Sequence, residues 1–190
     1  MTSSTTIIDL ELIVLGLAIL LFAFRGGVCA CLASAFGLVV FFGLGLLMSG
    51  VYKINFTHSA PYGLYRLIPA HPPAAIHGRF VTIDPAAIPS SKTYNPLQAP
   101  MMKRVIGTAG DVISLDGSYL AISGRSLGLQ SIVHTRDNSG KALSHPNYPV
   151  TVPIGSIWVM SDNSFGWDSR YFGPVALKDV MAFAEPIFTW

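Results

Sequence analysis

The sequence is short of charge and of cysteine. Of its 190 residues twelve are basic and ten acidic, together 12% of the chain, whereas 51% are hydrophobic. About a quarter of an ordinary soluble domain is charged, so this composition speaks against a wholly soluble domain and excludes disorder. The net charge is +2 and the only adjacent basic pair is Lys103-Arg104, which argues against a nucleic-acid partner. Cys29 and Cys31 lie inside an apolar run. Two positions apart on a helix they point to different sides and form no disulfide. The remainder of the chain has no cysteine and tolerates either redox compartment. His58, His71, His77, His134 and His145 are scattered, with no pair at metal-ligand spacing. There is no Gly-x-Ser-x-Gly elbow either. No metal and no cofactor are expected.

What charge there is sits unevenly. Residues 1–52 carry only Asp9, Glu11 and Arg25, and the other nineteen charged residues fall in 53–190. This divides the chain into a membrane anchor (1–52) and a globular domain (53–190). Val28 to Met48 is 21 residues without a charge. As a helix it would span roughly 30 Å, the thickness of a bilayer core. An earlier apolar stretch, residues 7–24, reads as a first span rather than a signal peptide, because its positive charge, Arg25, follows the run. Arg25 between the two spans favours a cytoplasmic connection and places everything after Met48 outside, although Lys53 pulls the other way.

Beyond residue 52 the pattern is short strand-like runs broken by Pro, Gly, Asn and Asp. They are Arg79–Ile83, Met102–Ile106, Ile157–Met160 and Val180–Ala184, with a hairpin around Asp116-Gly117 inside residues 112–123. No long segment of helical period follows Met48, so the domain is expected to be mainly β. Residues 84–100, with four prolines, read as a loop or edge excursion.

Three clusters carry candidate chemistry. Ser59, in Asn55-Phe-Thr-His-Ser-Ala-Pro-Tyr-Gly-Leu-Tyr65, is either a turn residue or an exposed nucleophile. The aromatic residues around it suit a membrane interface. His58 adjoins it but points to the opposite face of a strand, so it makes a poor base. Lys103 shares a face with Met101 and Val105. It either extends its ammonium to water or, if buried, becomes a general base with a lowered pKa. The third cluster, residues 161–175, reads alone as a polar turn with a local ion pair between Asp168 and Arg170.

Together these residues resemble the signal peptidase I superfamily. The segment KRVIGTAGD (103–111) is similar to its lysine box, and SDNSFGWDSRYFGP (161–174) to its C-terminal box. Ser161 stands where the commoner bacterial form has glycine, and the segment before Asp-Ser-Arg is one residue shorter. That departure, with residues 55–65 and DNSGKAL (137–143), resembles the TraF-type branch, the conjugative-transfer signal peptidases. The resemblance covers roughly residues 53–185. It implies a signal-peptidase/LexA-like β-fold catalytic domain preceded by two N-terminal transmembrane helices.

It also implies Ser59 as nucleophile, Lys103 as base, and Thr57 as an oxyanion donor beside the Ser59 N–H. Asp168 and Arg170 would be supporting residues. The expected partners are the lipid bilayer and a signal-bearing precursor, in this branch a conjugative pilin. Some members of the branch are implicated in joining the product ends. The expected location is the bacterial inner membrane, multi-pass, with the catalytic domain on the periplasmic face. The near alternative is a general signal peptidase I. A catalytically silent, membrane-anchored scaffold of a pilus or secretion apparatus is the reading from another class, and it has no need of Ser59, Lys103 and Thr57 together.

Overall fold

The computed structural model describes residues 28–48, 50–70, 76–88 and 91–190. The expected first span, residues 7–24, and Arg25 lie outside the described residues. Contacts divide the chain into two units after Val51. In the first unit α1 (Val28–Met48) is a 21-residue helix without acidic or basic residues at its ends. Its side chains are described over 32–46, and there Leu32, Phe36, Val39 and Phe42 are all exposed. Among the described residues no helix is long and apolar enough to cross a membrane.

The second unit is mainly β, and its strands are β1 (Tyr52–Asn55), β2 (Gly63–Pro69), β3 (Phe80–Ile83), β4 (Met101–Thr108), β5 (Val112–Asp116), β6 (Tyr119–Ile122), β7 (Arg125–Ser126), β8 (Val150–Thr151), β9 (Ser156–Met160), β10 (Val175–Ala176) and β11 (Val180–Thr189). A seven-stranded sheet runs β1-β2-β11-β3-β4-β9-β10, and a four-stranded sheet runs β7-β6-β5-β8. Neighbouring strands pair antiparallel.

The centre of the large sheet is covered on both faces. Along β9, Ile157 and Val159 enter one core cluster with Val81, Ile83 and Val105. The alternate residues, Trp158 and Met160, enter a second with Ile113 and Leu120 of the small sheet. Alternation of side chains along a strand produces this division. It also explains why β3 and β4 are buried almost throughout rather than on one face.

The expected hairpin forms one residue later than its sequence signal. Asp116 pairs with Tyr119, so the two-residue loop is Gly117-Ser118. Gly117 has φ of 62°, which a two-residue hairpin loop of this hand requires. Within residues 84–100, Asp84 caps a 3₁₀ turn at Pro85–Ala87, and a single helical turn follows at Ser91–Tyr94. Between β4 and β9 the chain makes a long excursion that includes the small sheet. Its neck is closed by two backbone hydrogen bonds, Gly110 N–H to Val152 O and Val152 N–H to Asp111 O, both 2.9 Å.

Candidate active site

Register brings the third cluster to the second. β4 and β9 pair Arg104 with Met160, so Ser161, the next residue, continues the ladder opposite Lys103. Lys103 Nζ donates to Ser161 Oγ at 2.7 Å and toward Ser59 Oγ at 3.3 Å. Lys103 is only 5% exposed. Its ammonium therefore does not extend to bulk water, and burial lowers its pKa to about 8. The Asp168 carboxylate opposes that shift and the Arg170 guanidinium adds to it. A lysine with this pKa holds about one neutral molecule in ten at pH 7, against roughly three in ten thousand at the ordinary value.

Ser59 lies in the turn between β1 and β2, and two devices fix it. The Asp162 N–H donates to Ser59 O at 3.1 Å, while the Asp162 carboxylate takes two hydrogen bonds from Arg104, at 2.8 and 2.6 Å. From the other side, buried Asn55 spans the turn. Its Nδ2 donates to the carbonyls of Thr57, Ala60 and Pro61, and its Oδ1 accepts from the Thr57 N–H. Thr57 Oγ1 also donates to Asn55 Oδ1, at 2.8 Å. A hydroxyl has one proton, so Thr57 must rotate away from Asn55 before it can donate to an oxyanion. His58 is turned to Tyr62, whose hydroxyl lies 2.9 Å from its Nδ1.

Asp168 and Arg170 sit behind this pair, and both are completely buried. The cluster is thus no solvent-facing polar turn. Asp168 caps the helical turn Ser169–Phe172 and accepts the Ser161 N–H at 2.8 Å. Arg170 bonds Asp168 through Nε and Nη2, each at 2.8 Å. It also donates to the carbonyls of Gln130, Ile132, Asn163, Ser164 and Gly166. These acceptors are what permit burial of the charge. Among the described residues no His/Cys/Asp/Glu group has the make-up of a metal site.

A cleft of about 430 Å³ opens at Ser59 and Lys103, walled by Lys53, Asn55, Met101 and Trp167 among others. A hydroxyl and a desolvated amine in reach of one another beside a cleft have the chemistry that a nucleophile and its base require. Family comparison bears on the whole of this region, since the description "Signal peptidase, peptidase S26" matches residues 28–190. The chain belongs to the S26 signal peptidase family. It is 31% identical over 154 residues to the conjugal transfer protein TraF of Agrobacterium tumefaciens (strain 15955), covering 75% of this chain and 85% of that protein. The plasmid transfer protein TraF of Escherichia coli is 27% identical over 165 residues, covering 78% and 92%. Signal peptidase I of Bacillus caldolyticus is 31% identical over 88 residues, covering 42% and 48%. Among solved structures, a signal peptidase I from Enterococcus faecalis V583 is similar at 22% identity with a TM-score of 0.38, covering 61% of this chain and 98% of that one.

Two residues of this S26 family member escape a reading of the sequence. Asn55 has only a faint signal, an asparagine ending a strand-like run before a turn. Ser161 shows in the sequence as a substitution, but its contact with Lys103 spans 58 residues. Gly166 completes the arrangement: a Cβ there would collide with Ser161 Oγ and Cβ. Gly166→Ala is therefore expected to destabilise the chain by about 1–3 kcal/mol through overpacking. Adding Ser161→Gly should recover most of that loss. Thermal unfolding of both variants checks it, and an additive double variant would dismiss the collision.

Proposed function

We propose that the chain is a membrane-bound serine endopeptidase that removes the leader segment of a secreted precursor. The observation carrying this reading is the buried Lys103 amine, held between Ser59 and Ser161 at the cleft. Neutral Lys103 takes the proton of Ser59 Oγ as the oxygen attacks the scissile carbonyl, and the charge moves to the carbonyl oxygen. The Ser59 N–H and a rotated Thr57 hydroxyl stabilise that oxyanion; one such donor is worth about 3 kcal/mol. Lys103 then returns the proton to the leaving amine. Water resolves this acyl-enzyme and releases the leader. Cyclisation needs a second cut near the product's C-terminus: the acyl-enzyme then holds the product's own carbonyl, its N-terminal amine attacks in place of water, and Ser59 Oγ leaves as the closing peptide bond forms.

The conjugal and plasmid transfer names of the TraF relatives support a precursor that belongs to a conjugation apparatus, and we take it to be a pilin with small residues at the first and third positions before the cut. The uncharged apolar run from Val28 to Met48 supports a membrane span on sequence grounds, while among the described residues no helix alone is long and apolar enough to cross one. With residues 7–24 as a first span, the anchor is residues 1–52 and the peptidase domain 53–190, on the outer face of the inner membrane. Such an anchor confines the peptidase to the membrane that also carries the precursor, which reduces the search for the cut.

Intact-mass analysis of a co-expressed pilin precursor tests this reading. Leader loss is expected with wild type and none with Ser59→Ala; a product cut at its C-terminus and one water lighter than the corresponding linear chain marks cyclisation. No cut in either would favour a silent scaffold, and equal cutting in both would remove Ser59 from the chemistry. Because only neutral Lys103 accepts the proton, kcat/KM should rise about tenfold per pH unit below pH 8 and level off above it. A profile flat from about pH 6 to 9 would exclude Lys103 as base.

A further inference from the structure

Beside the cleft is a second cavity, of about 340 Å³, walled by two pairs of stacked rings. Tyr94 and Trp167 stack with centroids 5.0 Å apart and planes at 25°. His134 and Phe165 stack at 4.7 Å and 9°. Leu143 and Tyr171 add apolar and aromatic surface, and the polar segment 136–139 closes the remaining side. Tyr94 and Trp167 also line the cleft of Ser59 and Lys103, so the two spaces share a wall. Gly166, between Phe165 and Trp167 in sequence, belongs to the cleft.

The cavity is built rather than incidental. The Arg170 guanidinium bonds Ile132 O, two residues before His134, and Ser164 O, next to Phe165. One buried cation thus sets both the His134 and the Phe165 segments, and a preorganised pocket loses less on binding. Phe165 nevertheless remains 63% exposed, and His134 Nε2 is buried with no hydrogen-bond partner among the described residues. Both features are costly for the free protein, and both lie on one wall.

We propose that this cavity is an accessory recognition subsite, taking an aromatic side chain of the precursor that lies outside the residues flanking the cut. The inference rests on the peptidase reading and adds a selection rule to it. A polypeptide seated in the cleft can reach the cavity across the shared Tyr94–Trp167 wall, and the ring faces and edges beyond it match an aromatic guest. Recognition at a distance lets one precursor be chosen among many that carry small residues at the cut.

The test uses the full chain bearing Ser59→Ala, in detergent micelles, with fluorescein-labelled peptides of an Ala-x-Ala core in polar flanks. A single Phe is walked through the flanks, and binding is read by anisotropy. One register is expected to bind at least about tenfold tighter than the peptide without Phe, the size that burying one aromatic ring gives. With Phe165→Ala added, or His134→Ala, that gain should shrink to within about twofold. A photoreactive phenylalanine analogue at the same register should label residues of the cavity wall. No preferred register, a gain that survives both variants, or labelling elsewhere overturns the proposal. If the unsubstituted chain cuts none of these peptides, the peptidase reading suffers, while the anisotropy still decides on the cavity.

Discussion

Lys103→Met is expected to abolish leader removal and at the same time to make the chain harder to unfold at neutral pH. On the proposed mechanism the loss of Lys103 costs at least about 10³-fold in kcat/KM, because Ser59 then has no proton acceptor. The gain in stability follows from the same burial. The folded-state pKa of about 8 lies below the ordinary 10.5, so between those values the unfolded chain holds the extra proton and stability rises with pH. Below about pH 8 the folded state carries the whole penalty of a buried charge, about 3 kcal/mol for a shift of this size. Methionine has no such charge, but it forfeits the hydrogen bond to Ser161, worth about 1 kcal/mol. A net stabilisation of about 2 kcal/mol is left at pH 7, fading as pH rises toward 10.5. Denaturant unfolding of wild type and variant at several pH values measures it. A variant that is less stable than wild type at pH 7 would mean that the lysine is better solvated than its surroundings indicate.

Arg170→Met is expected to be the most damaging change to the fold. It leaves the Asp168 carboxylate buried without its cation and strips a donor from five backbone carbonyls. Breaking a buried pair costs about 3–5 kcal/mol, and abandoned carbonyls add to it. That rivals the entire stability of an ordinary domain, about 5–15 kcal/mol, so the variant should accumulate poorly and melt far below wild type. Arg170→Lys keeps the charge but has only three donors and no planar fork, and an intermediate loss is expected. Equal melting of wild type and Arg170→Met would refute the central place given to this side chain.

β3, β4, β5, β6, β9 and β11 are legible as short apolar runs between Pro, Gly, Asn and Asp, whereas β2 and the two-residue strands are not, and the motif spacing leads to the family. The interior of the site was less legible. The polar string from Ser161 to Arg170 has the composition of a surface turn. Its burial depends on carbonyls at residues 130, 132, 163, 164 and 166 that no local pattern announces. Ser161 meets Lys103 through strand register, a long-range property. The hairpin at Gly117-Ser118 came within one residue, since Asp116 and Gly117 both favour the turn and only pairing decides which positions it uses.

The two backbone hydrogen bonds that close the neck at Gly110, Asp111 and Val152 act as a clasp. Much of what lies beyond the clasp can be lengthened, trimmed or exchanged without altering how Lys103 faces Ser161, provided the surface laid on Trp158 stays apolar and the carbonyls of Gln130 and Ile132 still accept from Arg170. His134 and Leu143 lie on that detachable part, whereas Ser59, Lys103 and Ser161 do not. The cutting machinery and part of its choice of target are thereby free to diverge at different rates along one chain.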